Sequence, residues 1–84
     1  MEFRADAITI HGQPVIRLAG RLHHDHVAEV VSLCGENPEH MRIDLKDLIS
    51  SDFEGIEVLR KLRAKGAELY GASPFIAHRL GPGS

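Results

Sequence analysis

The chain has 84 residues, of which 43% are hydrophobic and 26% charged, and its formal net charge is −2. A chain of this length makes one small domain, which hides only about 60–65% of its unfolded surface, so its core must be simple. The charge excludes a basic face for nucleic acid and a polybasic membrane patch, and the single Cys34 excludes an internal disulfide.

The start of the chain shows no targeting pattern. Residues 1–6 (MEFRAD) are charged from the outset and lack the apolar region of a signal peptide. No apolar run approaches the roughly 20 residues that span a bilayer. We therefore expect a cytoplasmic protein without direct membrane insertion, acting alone or as a subunit of a larger assembly.

The first twenty residues predict a β-hairpin. Residues 3–10 alternate imperfectly between apolar and polar side chains, and residues 15–20 form a more apolar strand. Between them, residues 11–14 contain glycine and proline, which are typical of turns. Two strands joined by such a short turn pair as antiparallel neighbours.

A helix follows, because the spacing of apolar residues changes after Leu22. We expect Asp25 or His24 to cap its start and Gly35 to follow its end. One helical face carries residues at i, i+3, i+4 and i+7: Val27, Val30, Val31 and Cys34. On this face Cys34 is expected to be a small core residue rather than a nucleophile.

A third strand and the clearest helix come next. Residues 41–45 (MRIDL) predict the strand, and the helix opens at Gly55 and ends at Gly66. Glu57 and Lys61 have the favourable i, i+4 order for an ion pair. The apolar stripe of the helix consists of Ile56, Val58, Leu59 and Leu62.

The C-terminal part predicts one more strand and one more helix. Residues 67–71 form the strand, and residues 75–80 form a helix with Ser73 as N-cap and Pro74 at its first position. The last four residues, 81–84, have the composition of a flexible tail or a cloning remnant.

The predicted order is β-β-α-β-α-β-α within a single domain, residues 1–80. Strands alternating with helices favour an α/β fold, here a small mixed four-stranded sheet with helices packed against it.

Short motifs follow one another over residues 14–80. They are Gly20 after an apolar strand, Asp44-Leu45, Asp52 and Gly55, Gly66-Ala67-x-Leu69, and Gly71-x-Ser73-Pro74. Each motif is common by itself, but their joint order and spacing resemble the STAS domain of bacterial anti-sigma-factor antagonists. The resemblance implies a STAS-like fold and a non-catalytic, transcription-regulating protein that binds a kinase-like anti-sigma factor.

The resemblance also places a regulated site at the start of the second helix. In the family, the serine directly after the loop aspartate is phosphorylated, at a helix N-terminus that already favours an anion. Carried onto this chain, Asp52 matches the aspartate and Gly55 the glycine. The two hydroxyl positions are occupied by Phe53 and Glu54, and neither side chain accepts phosphate. We therefore expect a non-phosphorylatable corner.

The side chains at this corner have more than one interpretation. We expect Phe53 to be buried, as phenylalanine often is; if exposed, it would anchor a partner. Glu54 is expected to stabilise the helix start rather than to imitate a phosphate. Ser50 and Ser51 precede Asp52, and we expect turn hydrogen bonding from them more than phosphorylation.

We predict that a protein partner binds at residues 50–57. The predicted contacts are Ser50, Ser51, Asp52, Phe53, Glu54, Gly55 and Glu57. Two alternatives remain open. One is a cytoplasmic STAS subunit of a lipid-type ABC transport complex, which would bind the transporter ATPase. The other is a small-ligand or metal sensor.

Metal and catalytic sites are not predicted. The chain has six histidines, and His23 and His26 at i, i+3 share a helical face. A structural zinc site requires four ligands, typically with sulfur, and Cys34 lies about two helical turns away. The sequence contains no Gly-rich phosphate loop and no nucleophile elbow. We therefore predict no metal, no cofactor and no enzymatic activity.

Overall fold

The computed structural model describes residues 2–82. Two positions of the predicted tail, 83 and 84, lie outside this range. Short 3-10 turns occur at His24–His26 and Pro38–His40. The strands and helices are β1 Arg4–Ile10, β2 Gln13–Leu22, α1 Val27–Cys34, β3 Arg42–Ser51, α2 Phe53–Ala64, β4 Glu68–Tyr70 and α3 Pro74–Leu80. This order confirms the predicted β-β-α-β-α-β-α arrangement.

The four strands form one mixed sheet in the order β1-β2-β3-β4. Strand β1 is antiparallel to β2, whereas β2–β3 and β3–β4 are parallel pairs. The hairpin turn consists of two residues, His11 and Gly12. Their φ angles of 52° and 78° are both positive, as a type I′ turn requires. The parallel pairs need crossovers, and α1 and α2 supply them.

Strand β3 is twice as long as the sequence pattern indicated, with ten residues instead of the predicted five. Its register against β2 shifts between Arg17 and Ala19 and again between Gly20 and Arg21. Each shift places an extra residue in β3 and interrupts the two-residue alternation, which explains why the pattern stops at Leu45. Because of this added length, Ser50 and Ser51 are the last two residues of β3, directly before Asp52 and α2.

A single hydrophobic core lies between the sheet and the helices. Cys34 belongs to it at 4% exposure, and desolvation by burial raises the pKa of its thiol. This confirms Cys34 as a core residue. The main core side chains are Ile16, Leu18, Leu22, Val30, Ile43, Leu45, Leu48, Ile56, Leu59, Leu62, Ile76 and Leu80.

The beginning of α1 differs from the prediction. The cap is His23, whose side chain accepts a hydrogen bond from the Asp25 N–H at 3.4 Å, and not Asp25 or His24. This cap opens the 3-10 turn that runs into α1. Gly35 follows the helix with a φ of 69°, as predicted. Val31 is 45% exposed, because it faces a groove between α1 and α2 instead of the core.

The ends of the other two helices follow local sequence signals. Helix α2 begins at Phe53, two residues before the predicted start, and Asp52 is its N-cap. Glu57 accepts from Arg60 at 3.5 Å, rather than pairing with Lys61. In α3, Ser73 caps the helix by accepting from the Ile76 N–H at 3.3 Å, with proline at the first position, as predicted.

Helix α2 approaches the sheet closely at Gly55. A Cβ atom added to this glycine would overlap the Oγ of Ser51 and lie 2.8 Å from Cγ of Leu22. The absence of a side chain therefore allows the first turn of α2 to rest on the ends of β2 and β3. No helix within residues 2–82 is long and apolar enough to cross a membrane.

Replacing Gly55 with alanine should destabilise the fold by about 1–3 kcal/mol, because overpacking outweighs the better helix propensity of alanine. Urea unfolding followed by circular dichroism measures the change. The double variant Gly55→Ala/Ser51→Ala removes the overlapping Oγ and should recover part of the loss. Unchanged or increased stability of Gly55→Ala would contradict this account of the contact.

Candidate functional site

The candidate site is the corner between β3 and α2, and Asp52 organises it. The Oδ1 atom of Asp52 accepts a hydrogen bond from the Gly55 N–H at 2.8 Å, which caps α2. Its Oδ2 atom accepts from the backbone N–H of His24, also at 2.8 Å. The Asp52 N–H donates to the carbonyl of Leu22 at 3.1 Å. One residue thus joins the β3–α2 corner to the β2–α1 junction, 28 residues earlier in the chain.

Two imidazole rings lie over the same carboxylate. His24 Nδ1 is 3.4 Å and His23 Nε2 is 3.9 Å from Asp52 Oδ2. The two ring centroids are 3.9 Å apart. Both histidine side chains are half exposed, and that of Asp52 is 31% exposed. The carboxylate is therefore partly shielded from solvent but open on one side.

These contacts hold the Asp52 carboxyl in its ionised form. Desolvation raises the pKa of this group. Hydrogen bonds from the Gly55 and His24 backbones, a bond from the His24 ring and the charge of His23 outweigh that effect, so the pKa lies below its ordinary value. The shift extends the range over which Asp52 is an anion to more acidic pH.

Ser51 has a structural role at the end of β3. It is buried at 8% exposure, and its Oγ donates to the Asp52 carbonyl at 2.9 Å. Its own carbonyl accepts a hydrogen bond from the guanidinium of Arg79, in α3. Ser51 thus makes a local backbone hydrogen bond, as expected, but from the last residue of a strand rather than from a turn. Ser50 is half-buried within the strand, where it is paired with Arg21 of β2.

Phe53 is exposed, and the prediction that it is buried is wrong. As the first residue of α2 it is 70% exposed. Helix α2 meets the sheet two residues later, at Gly55, and the core beneath it is filled by Ile56 and Leu59. The ring therefore lies beyond the packed part of the helix, where it presents an apolar surface to solvent.

A groove of about 340 Å³ begins at Glu54, the residue after Phe53, and runs between α1 and α2. It combines an apolar floor with a charged rim. It continues into a second depression of about 570 Å³ that shares Val31, Val58 and Lys61 with it. The first groove is lined by Val27, Val31, Glu54, Glu57, Val58 and Lys61.

The structure brings the seven predicted binding residues together: two are exposed, two are buried and three are intermediate. Phe53 and Glu54 are exposed at the surface, whereas Ser51 and Gly55 are buried beneath them. The others are intermediate: Ser50, Asp52 and Glu57. The exposed residues are available for contact, and the buried residues position them.

Sequence reasoning missed two residues that complete the site, His24 and Arg79. Each contacts its partner across 28 residues of chain, so no local pattern could reveal the pairing. The capping role of Asp52 did have a local signal, since an aspartate three residues before a backbone donor is a typical N-cap. His26 points elsewhere: its ring stacks on Phe3 with centroids 4.4 Å apart.

Comparison with known proteins yields structural similarity only. No protein-family model and no curated protein matches the chain. A STAS domain, an antisigma-factor antagonist from Rhodobacter sphaeroides, aligns with a TM-score of 0.63 and 16% identity over 89% of this chain and 96% of that one. An uncharacterised DUF3478-family protein with a SpoIIAA-like fold, from Shewanella loihica PV-4, aligns with a TM-score of 0.56 and 13% identity over 87% and 69%.

Asp52→Asn tests the double role of this carboxylate. The amide keeps an acceptor for the Gly55 N–H but presents NH2 to the His24 N–H, so we expect a loss of about 1–2 kcal/mol at pH 7. Asp52→Ala, which loses both acceptors, should be less stable still. Urea unfolding in the presence of a chelator measures both.

The Asp52→Asn difference should also depend on pH. The pKa of Asp52 is lower in the folded chain than the value of about 3.9 in the unfolded chain, so the stabilisation is complete above that value. It is lost as the pH falls through the folded pKa. The Asp52→Asn difference should therefore shrink between about pH 5 and pH 2. A difference of equal size at both ends of this range would contradict the assignment.

Proposed function

We propose that this chain, which has a STAS-like fold, is a non-catalytic interaction domain that binds a kinase-like anti-sigma factor through its β3–α2 corner. The observation that carries the proposal is the exposure of Phe53. Together with the valines that line the groove between α1 and α2, this side chain, which is 70% exposed at the first position of a helix, makes an exposed apolar surface of the kind that marks interaction sites.

Phe53 has the properties of an interface anchor. Fully burying a phenylalanine side chain is worth about 1.5–3 kcal/mol, which corresponds to about a 10- to 100-fold change in Kd. Anchors of this kind dominate binding energy when the contacts around them exclude water. The apolar floor of the neighbouring groove, with Val27, Val31 and Val58, extends the surface that a partner would cover.

The charges around Phe53 define the partner's chemistry. Asp52, Glu54 and Glu57 give the start of α2 an acidic border. A complementary partner surface has an apolar pocket for the ring with basic side chains around it, which would guide encounter as well as register. Lys61 lies at the far side of the groove and offers one contact of opposite sign.

Binding at this corner is constitutive in the proposal. The positions that carry hydroxyl groups in the STAS family are Phe53 and Glu54 here. The nearest serine, Ser51, is buried with its Oγ donated to the Asp52 carbonyl, so a kinase has no free hydroxyl to reach there. A corner without phosphate keeps one charge state and therefore one affinity.

The same exposed ring suits a second partner class. A cytoplasmic subunit that docks permanently on the ATPase of an ABC transporter also needs an apolar anchor and no switch. The two classes place the chain in the same compartment, the cytoplasm, but differ in the identity of the bound protein.

Phe53→Ala should strongly reduce partner capture. The tagged chain is incubated with lysate of its source cells, and bound proteins are identified by mass spectrometry. We expect a kinase-like anti-sigma factor with the unsubstituted chain, and at least about tenfold less of it with Phe53→Ala. Capture of a transporter ATPase with the same Phe53 dependence would support the second class.

Phe75→Ala is the matched control for that experiment. Phe75 lies on α3 and is 58% exposed, compared with 70% for Phe53, so the variant removes another largely exposed ring from a different helix. Its capture should equal that of the unsubstituted chain. Equal loss with Phe53→Ala and Phe75→Ala, or capture unaffected by Phe53→Ala, would contradict binding at the corner.

Phosphorylation at the corner should be absent. The chain is incubated with ATP and the captured kinase-like partner, and peptides covering residues 50–57 are analysed by mass spectrometry. We expect no phosphate there, whereas Phe53→Ser, which restores a hydroxyl directly after Asp52, should accept it. Phosphate within residues 50–57 of the unsubstituted chain would refute constitutive binding.

A further inference from the structure

We propose that His23, His24 and Asp52 form a binding site for a divalent transition-metal ion, with Zn²⁺ as the best match, and that Asp25 orients the two imidazoles. The site shares Asp52 with the proposed partner-binding corner, but metal binding does not require the partner. It also differs from the His23–His26 pair that the sequence suggests, because His26 is turned towards Phe3.

The ligand atoms already have nearly the spacing of a coordination sphere. His23, His24 and Asp52 each offer one atom, and the three atoms lie within 4.8 Å of one another. Asp52 Oδ2 is 3.4 Å from His24 Nδ1 and 3.9 Å from His23 Nε2. In a tetrahedral zinc site with bonds of about 2.0–2.1 Å, neighbouring ligand atoms are about 3.3–3.4 Å apart. To close the site, the two rings must turn so that the ligand atoms approach one another by up to about 1.5 Å.

Asp25 supplies the outer hydrogen bonds that such a site requires. Its Oδ1 lies 3.2 Å from His24 Nε2 and its Oδ2 lies 3.4 Å from His23 Nδ1. These are the ring nitrogens that do not face Asp52. Metal-binding histidines usually donate their second N–H to a carboxylate, which fixes the ring and makes the ligand nitrogen more basic.

Metal binding requires one exchange of hydrogen bonds. In the described structure the Asp25 N–H donates to His23 Nδ1 at 3.4 Å. With the metal on Nε2, Nδ1 carries the proton and donates to the Asp25 carboxylate instead. The contact that is given up is long, so the exchange costs little.

The charge and the exposure of the site also favour a cation. The Asp52 carboxylate lies beside both rings, and its Oδ2 atom is the shared neighbour of His24 Nδ1 and His23 Nε2. The histidine side chains are half exposed, which leaves an entry path and a free coordination position for water. Three protein ligands with an open position are typical of accessible rather than structural zinc sites.

A metal here would connect two parts of the chain. His23 and His24 follow β2, and Asp52 precedes α2, so the ion reinforces the link between the two corners. Because binding occurs only when these residues are held together, the metal should stabilise the folded state.

Calorimetric titration of Zn²⁺ into the metal-free chain at pH 7.5 tests the site. We expect one ion per chain, at least tenfold weaker binding for His24→Ala, and about 10- to 100-fold weaker binding for Asp25→Asn. His24→Ala keeps the backbone N–H that bonds to Asp52, so the fold is retained, and circular dichroism verifies this. His40→Ala removes an exposed histidine outside the cluster and should bind like the unsubstituted chain.

Two further measurements distinguish the site from general histidine binding. Zn²⁺ should raise the Tm of the unsubstituted chain and of His40→Ala, but not that of His24→Ala. Co²⁺ should give the visible absorption of a tetrahedral site in the same two proteins. Absence of binding, a stoichiometry other than one, or equal affinity of His24→Ala and the unsubstituted chain would overturn the proposal.

Discussion

The two hydrogen bonds that the Asp52 carboxylate accepts determine how the rest of this domain is arranged. One bond begins α2, and the other holds the start of the preceding helical segment at His24. Gly55 completes the arrangement, because only a residue without a side chain allows α2 to lie directly on Ser51 and Leu22. The position of Phe53 at the surface follows from these contacts: the helix begins before it reaches the sheet, and its first ring extends past the core.

Most of the fold could be predicted from local sequence. The His11-Gly12 turn, the Ser73-Pro74 helix start and the apolar stripe of α2 each depend on interactions within a few residues. The length of β3 could not be predicted, because two bulges interrupt the alternation on which strand prediction relies. The exposure of Phe53 also depended on a distance between helix and sheet, which no pattern of apolar residues encodes.

The candidate site was predictable in position but not in composition. A resemblance in motif order located the corner at Asp52 and Gly55, and the structural similarity at 16% and 13% identity confirms the fold that this resemblance implied. His24 bonds to Asp52, and Arg79 bonds to Ser51. In each pair the two residues are 28 positions apart in the chain. Similarity of fold at such low identity leaves the surface chemistry to this chain's own side chains, and those at the corner are an exposed aromatic ring, an acidic border and paired imidazoles.

Because Cys34 is buried, its reactivity can report the opening of helix α1. The thiol is 4% exposed at the end of α1, and burial raises its pKa, so the reactive thiolate is scarce while the helix stays packed. Alkylation must wait until α1 separates from the core. The rate at which a small reagent modifies this single cysteine thus reports how often the helix that forms one wall of the groove opens, in solution and without any introduced label.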